Sequence, residues 1–143
     1  MDEKDASPRT KFIRKRFKTM KPGENMIDDF HCALQATIPL QGTLYITNRS
    51  LYFHSAFNQK TFFGKATKIR IDFSQIEHVG RANNKLFLPN SIKVILNNGE
   101  PEVLFTGFIS REEGINTIEL QLQFLKQKIR KHLLPKPVIK VQP

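Results

Sequence analysis

The sequence predicts a mainly β domain: about six or seven antiparallel strands bent into a barrel or sandwich, with a short helix before them and one long helix after them. Three features predict it. Short apolar, aromatic and β-branched runs fill the middle of the chain, punctuated by Gly, Asn and Pro. Asn48-Arg49 and Asn98-Gly99 each interrupt an alternating pattern, as hairpin turns do. From Ile115 to Ile129 the apolar residues instead recur every three or four positions, the period of a helix. The 143 residues suffice for one core and are too few for two ordinary domains with a linker.

Residues 1–8 read as a flexible N-terminus, and Ser7-Pro8 suits the N-cap and first-turn proline of a helix entering the basic stretch that follows. Arg9 to Lys21 holds seven basic residues and no acid, with Phe12, Ile13, Phe17 and Met20 at spacings one helical face can hold. Such a segment either lies on a membrane or docks its aromatics on its own domain and leaves its charges in water; docking is the preferred reading. "FHCALQATIPL" reads as one strand, bent or ended near Pro39. "GTLYITNRSLYFHSAF" is a hairpin, with Leu44 and Ile46 on one face before the turn and Leu51 and Phe53 on one face after it. "TKIRIDFSQIEHVGRA" carries the alternation through Ile69, Ile71 and Phe73, then Ile76 and Val79. "SIKVILNNGEPEVLFTGFI" is a second hairpin, whose Asn98-Gly99 is expected to supply the positive backbone dihedrals of its turn.

Ser110 and Glu113 have the capping-box spacing that opens a helix. Ile115, Ile118, Leu122, Leu125 and Ile129 form its stripe, which Leu120 and Phe124 are expected to widen into a broad buried face until Pro135 stops the helix. Lys126, Lys128, Arg130, Lys131 and His132 suit the C-terminal end of its dipole. "PKPVIKVQP", residues 135–143, reads as a linker, so the domain is expected over residues 9–134. Strands first and a single helix last is the order of the pleckstrin-homology class, the most economical fold for this pattern.

The chain carries 23 Lys plus Arg against 13 Asp plus Glu, a net charge of +10 that favours acidic lipids, nucleic acid or an acidic protein face. Nucleic acid is disfavoured, because the twelve phenylalanines mostly fall on inward positions and no RNA-binding signature occurs. The lone Cys32 closes no intrachain disulfide and the N-terminus lacks the apolar stretch of a signal peptide, so a cytoplasmic setting is expected. No run of about 18 apolar residues is present, so no transmembrane span is expected. Catalysis has little support. His31, His54, His78 and His132 are scattered over different elements, Cys32 sits in an apolar strand pattern, and Glu100 and Glu102 belong to a hairpin turn. Neither metal-ligand spacing nor a phosphate-binding glycine loop occurs, so no catalytic residue, metal or cofactor is expected.

Three stretches together resemble a GRAM domain, a pleckstrin-homology-like module. They are "ENMIDDFHCALQATIPLQGTLYITNRSLYFHS", "FFGKATKIRIDFSQIEHV" and "VLFTGFISREEGINTI", similar respectively to the family's opening with Gly-x-Leu-Tyr-Ile-Thr, its Phe-Gly strand pair and its Arg-acidic helix entrance. The resemblance is closest to the branch found in lipid- and sterol-transfer and membrane contact-site proteins. Arg111-Glu112-Glu113 departs from the usual Arg-Asp, and "NQKTFF" is longer and more basic than the usual lead-in. The resemblance implies a noncatalytic peripheral membrane module with phosphatidylserine or phosphoinositides as ligands, though some members act through protein contacts instead.

In pleckstrin-homology domains the loop joining the first two strands commonly carries the basic phosphoinositide pocket, and here that region, "ATIPLQG", has no basic residue. The expected lipid-binding surface is therefore the loop from Asn58 to Lys68 and the strand after it: Lys60, Lys65, Lys68 and Arg70 as a basic collar, Phe62 and Phe63 as an insertion tip, with Arg81 and Lys85 extending the patch. Two readings of the phenylalanine pair stay open. Either both enter the bilayer, or Phe63 packs under the barrel rim while Phe62 is partly exposed. An acidic protein partner is the alternative ligand for the same basic face.

Overall fold

The computed structural model describes residues 7–56, 67–82, 90–99 and 102–133. The expected flexible N-terminus up to residue 6, the Pro135 helix stop and the C-terminal linker lie outside those residues. Helix α1 (Pro8–Arg16) precedes β1 (Met26–Gln35), β2 (Pro39–Thr47), β3 (Ser50–Ser55), β4 (Thr67–Asp72), β5 (Ile76–Arg81), β6 (Ile92–Leu96) and β7 (Val103–Thr106), and helix α2 (Arg111–Leu133) follows them. The strands form one antiparallel sheet in the order β4-β3-β2-β1-β7-β6-β5, the mainly β architecture with two flanking helices that the patterning predicts.

Alternation explains how the sheet is covered on two sides. Leu44, Ile46, Leu51 and Phe53 point one way into the main core, joined by Phe73, Ile92, Val94, Phe105 and Phe108 and by Ile115, Ile118 and Leu122 of α2. Their neighbours Tyr45 and Tyr52 point the other way, where an all-polar face is the usual outcome. They are buried instead, because Ile13, Phe17 and Met20 of the N-terminal segment close over them. The Phe17 ring stands 4.7 Å from that of Tyr52. The basic segment is thus docked, while Phe12 remains 53% exposed with the Arg16 guanidinium 5.0 Å from its ring centroid. Its start is local chemistry: the Ser7 hydroxyl accepts from the Thr10 N–H at 3.1 Å, and Pro8 occupies the first turn.

Three expectations are corrected in detail. Pro39 does not bend the first strand; β1 ends at Gln35, and Pro39 opens β2 opposite it, a position where a missing N–H is tolerated. At the β6–β7 turn, Gly99 has a positive φ of 73° but Asn98 does not. The Asn97 N–H donates to the Gln75 carbonyl at 2.9 Å and its Nδ2 to the Ser74 carbonyl at 2.7 Å, so the chain is already steered there before the glycine reverses it. On α2, Leu120 and Phe124 are 47% and 54% exposed rather than part of a broad buried face. At about 100° per residue they fall roughly opposite the stripe through Ile115, Ile118 and Leu122. Ile129 keeps to that stripe and is still 44% exposed.

Hydrogen bonds from one arginine tie α1 to β2 and β3. Arg16 Nη1 stands 3.2 Å from His54 Nδ1 and 3.5 Å from the Tyr45 hydroxyl oxygen. Arginine only donates, so the contact requires the neutral imidazole with its proton on Nε2. Burial, then the charges of Arg16 and Lys68, hold the His54 pKa below its ordinary value. The folded state therefore resists a proton that the unfolded chain takes up below about pH 6.5, and stability should fall as the pH drops through that range. His54→Gln should flatten this loss in melting temperature; an identical loss in the variant would refute the assignment.

Candidate functional site

Of the residues predicted from sequence to bind lipid, Lys60, Phe62, Phe63, Lys65 and Lys85 lie outside the described residues. Lys68 and Arg70 stand on β4, at one edge of the sheet, and Arg81 on β5, at the other. Lys68 Nζ donates to the Arg16 carbonyl at 3.1 Å and Arg70 Nη1 to the Thr19 carbonyl at 2.7 Å. Two cations thus satisfy carbonyls at and just past the end of α1, where the helix dipole favours positive charge. Arg81 makes a two-pronged contact with Glu112: Nε donates to Oε1 at 2.6 Å and Nη2 to Oε2. The pairing raises the arginine pKa and lowers that of the carboxyl, and it fastens the first turn of α2 to β5.

A cleft of about 400 Å³ gathers residues that no stretch of sequence holds together. Lys21 comes from the segment after α1, Asn48 and Arg49 from the β2–β3 turn, Arg70 and Asp72 from the end of β4, and Gln121, Phe124, Leu125 and Lys128 from α2. Spacings of three, four and seven put the helix residues along one side. The turn that presents Arg49 is rigid for a local reason: the Thr47 hydroxyl accepts from the N–H groups of Arg49 and Ser50 at 3.1 and 2.9 Å. Asn48 Oδ1 accepts from the Asn25 N–H at 2.8 Å, which binds the turn to the start of β1.

The positive charge of this cleft is only partly compensated. Asp72, its one carboxylate, already accepts from Arg70 Nε at 2.8 Å and from the Ser50 hydroxyl at 2.7 Å. Lys21, Arg49 and Lys128 have no carboxylate partner among the described residues. Gln121 is 8% exposed, and Arg70 Nη2 is a buried donor with no hydrogen-bond partner among the described residues. Buried donors are normally paired, so this one is notable. The cleft is not legible in the sequence: Lys21 belongs to a basic stretch, Arg49 to a turn and Lys128 to a helix end, and no local signal joins positions 21, 49 and 128.

The reactive side chains are placed apart. Cys32 is buried in β1, where loss of water pushes its thiol up to about 12, leaving it protonated near neutral pH. His31, His54 and His78 sit on β1, β3 and β5. Among the described residues no group of three His, Cys, Asp or Glu is arranged to hold a metal, and no helix is long and apolar enough to cross a membrane.

Comparison with known proteins matches this architecture. An uncharacterized membrane protein of Schizosaccharomyces pombe is 31% identical over 106 residues, covering 74% of this chain and 13% of its own length. The membrane-anchored lipid-binding protein LAM5 of Saccharomyces cerevisiae is 31% identical over 111 residues, covering 78% of this chain and 15% of its own. The chain therefore spans a small part of each relative. The crystal structure of the C-terminal domain of an unknown protein from Leishmania infantum superposes with a TM-score of 0.64 at 23% identity, over 79% of this chain and 96% of that one, and shares the fold. The GRAM domain family matches residues 11–127, from within α1 to the fifth turn of α2, and the chain belongs to that family.

Proposed function

We propose that this chain is a noncatalytic membrane-recognition module that binds acidic phospholipids, phosphatidylserine or phosphoinositides, at a cytosolic membrane surface and brings a longer parent protein there. The observation that carries the reading is the cleft lined by Lys21, Arg49, Arg70 and Lys128 with a single carboxylate, Asp72, that Arg70 already pairs. Cations in excess of counter-charge lower the free energy of a bound anion, by roughly 1 kcal/mol for each one near an acidic bilayer. Membership of the GRAM family and similarity to a membrane-anchored lipid-binding protein support the same reading. The loop from Asn58 to Lys68, with Phe62 and Phe63, is the proposed second point of membrane contact, and Arg81 and Lys85 its proposed extension.

Cosedimentation with phosphatidylcholine vesicles should rise with the fraction of anionic lipid and fall with added salt. Equal binding to neutral vesicles would sink the electrostatic part. Lys60→Glu combined with Lys65→Glu should weaken vesicle binding by about fivefold or more without changing the melting temperature. Lys68 is left alone in this variant because it holds the Arg16 carbonyl. Undiminished lipid binding, with loss of a copurifying acidic protein, would move the basic face to a protein-docking role.

A further inference from the structure

The cleft allows a sharper statement about the headgroup. Its charged lining is mostly cationic: the ammonium groups of Lys21 and Lys128 and the Arg49 and Arg70 guanidiniums stand beside one carboxylate, Asp72, and the neutral side chains of Asn48, Ser74 and Gln121, which can donate or accept. Arg49 and Lys128 come from facing elements, the β2–β3 turn and α2, so an anion between them is held from two sides. The volume is within the range of about 300 to 1,000 Å³ usual for small-molecule sites.

A serine headgroup fits this lining poorly. It carries an ammonium beside its carboxylate, and the cleft meets that ammonium with four cationic side chains and a single carboxylate, Asp72, whose Oδ1 already accepts from Arg70 and Ser50. A phosphomonoester brings between one and two negative charges and only acceptor oxygens. Phe124, 54% exposed on the helix side of the cleft, adds an apolar ring of the kind that inserts at the headgroup–acyl boundary.

We propose that this cleft is a binding site for a headgroup bearing clustered phosphomonoesters, with Arg49, Lys128 and Lys21 as the charge clamp and Arg70 Nη2, buried and unpartnered among the described residues, as its inner donor. The proposal rests on the membrane reading above for the lipid source of the headgroup, but not for the site itself.

The test uses the whole chain with three probes: phosphatidylcholine vesicles carrying phosphatidylinositol bisphosphate, vesicles carrying phosphatidylserine at equal total charge, and soluble inositol trisphosphate. The wild type should prefer the bisphosphate vesicles and bind inositol trisphosphate saturably. Arg49→Glu with Lys128→Glu, both exposed, should abolish that preference and lower inositol trisphosphate affinity by on the order of tenfold or more. Lys126→Glu with Arg130→Glu makes the same charge change on α2 outside the cleft and should retain the preference. Equal losses in the two variants would overturn the cleft and leave a diffuse electrostatic membrane surface. Equal wild-type binding to both vesicle types, with no saturable inositol trisphosphate binding, would overturn it as well. Binding of inositol trisphosphate that depends on Arg49 and Lys128, without binding to either vesicle, would keep the site, make its ligand a free phosphate ester and refute the membrane function.

Discussion

Glu24→Ala is expected to destabilise the fold by roughly 3–5 kcal/mol, measured as a shift of the urea midpoint at unchanged m-value. Glu24 is wholly buried, and its carboxyl group is the hub of the joint between the N-terminal segment and the sheet. Oε1 accepts from the Thr47 hydroxyl at 2.6 Å, Oε2 from the Lys21 N–H at 2.9 Å, and the Tyr52 hydroxyl lies within 3.0 Å of both oxygens. Alanine leaves the Tyr52 hydroxyl and the Lys21 N–H without this acceptor and the Thr47 hydroxyl with only the Ser50 carbonyl at 3.1 Å, and each buried orphan costs about 1–3 kcal/mol. Burial, with Glu24 as the hydrogen-bonding neighbour, raises the Tyr52 pKa well above the ordinary phenol value, so that hydroxyl remains a donor at any physiological pH. Tyr52→Phe removes one donor and strands none, so its cost should be smaller, about 1–2 kcal/mol. A loss below about 1 kcal/mol for Glu24→Ala would mean that the joint is not organised around this carboxyl. Because the Lys21 N–H is one of the three donors, the variant should also loosen the cleft wall that Lys21 supplies.

Gly42→Ala should cost about 3 kcal/mol or more, read as a fall in melting temperature. Gly42 lies on β2 opposite Cys32 of β1, in the Gly-x-Leu-Tyr-Ile-Thr motif. A methyl group there would sit 2.1 Å from the His54 carbonyl oxygen and 2.8 Å from the tip of the Phe53 ring. A flexible side chain can move aside, but a backbone oxygen beside the Thr43–His54 pairing cannot move without breaking the β2–β3 register. The Phe53 ring is equally confined, being 1% exposed and 5.6 Å from Phe105 at the centre of the core. A melting temperature within a degree of the wild type would show that β3 yields there.

Strands and turns were legible because their causes are local. Leu44, Ile46, Leu51 and Phe53 alternate because successive side chains of a strand point to opposite faces, and all four are buried together. Ser7 and Pro8 mark the first helix because capping is decided within four residues. The same local reading failed where burial depends on what lies opposite. Leu120 and Phe124 are apolar and belong to a helix, yet they are half-exposed because the sheet covers only the other side. Tyr45 and Tyr52 look like the outward face of a hairpin and are buried because Phe17 lies over them.

The sequence by itself thus determined the class of the fold, the order of its elements, the presence of an N-terminal helix and the resemblance to the GRAM family, since periodicity, capping and motif spacing are properties of short segments. Only the tertiary structure decided which cations stand free. Arg81 is paired with Glu112, Lys68 and Arg70 hold carbonyls of the N-terminal segment, and Lys21, Arg49 and Lys128 come together without a carboxylate of their own among the described residues. Hydrophobic patterning has a period that the backbone imposes; charge pairing has none, because a salt bridge or a basic cleft needs proximity in space and is indifferent to separation along the chain.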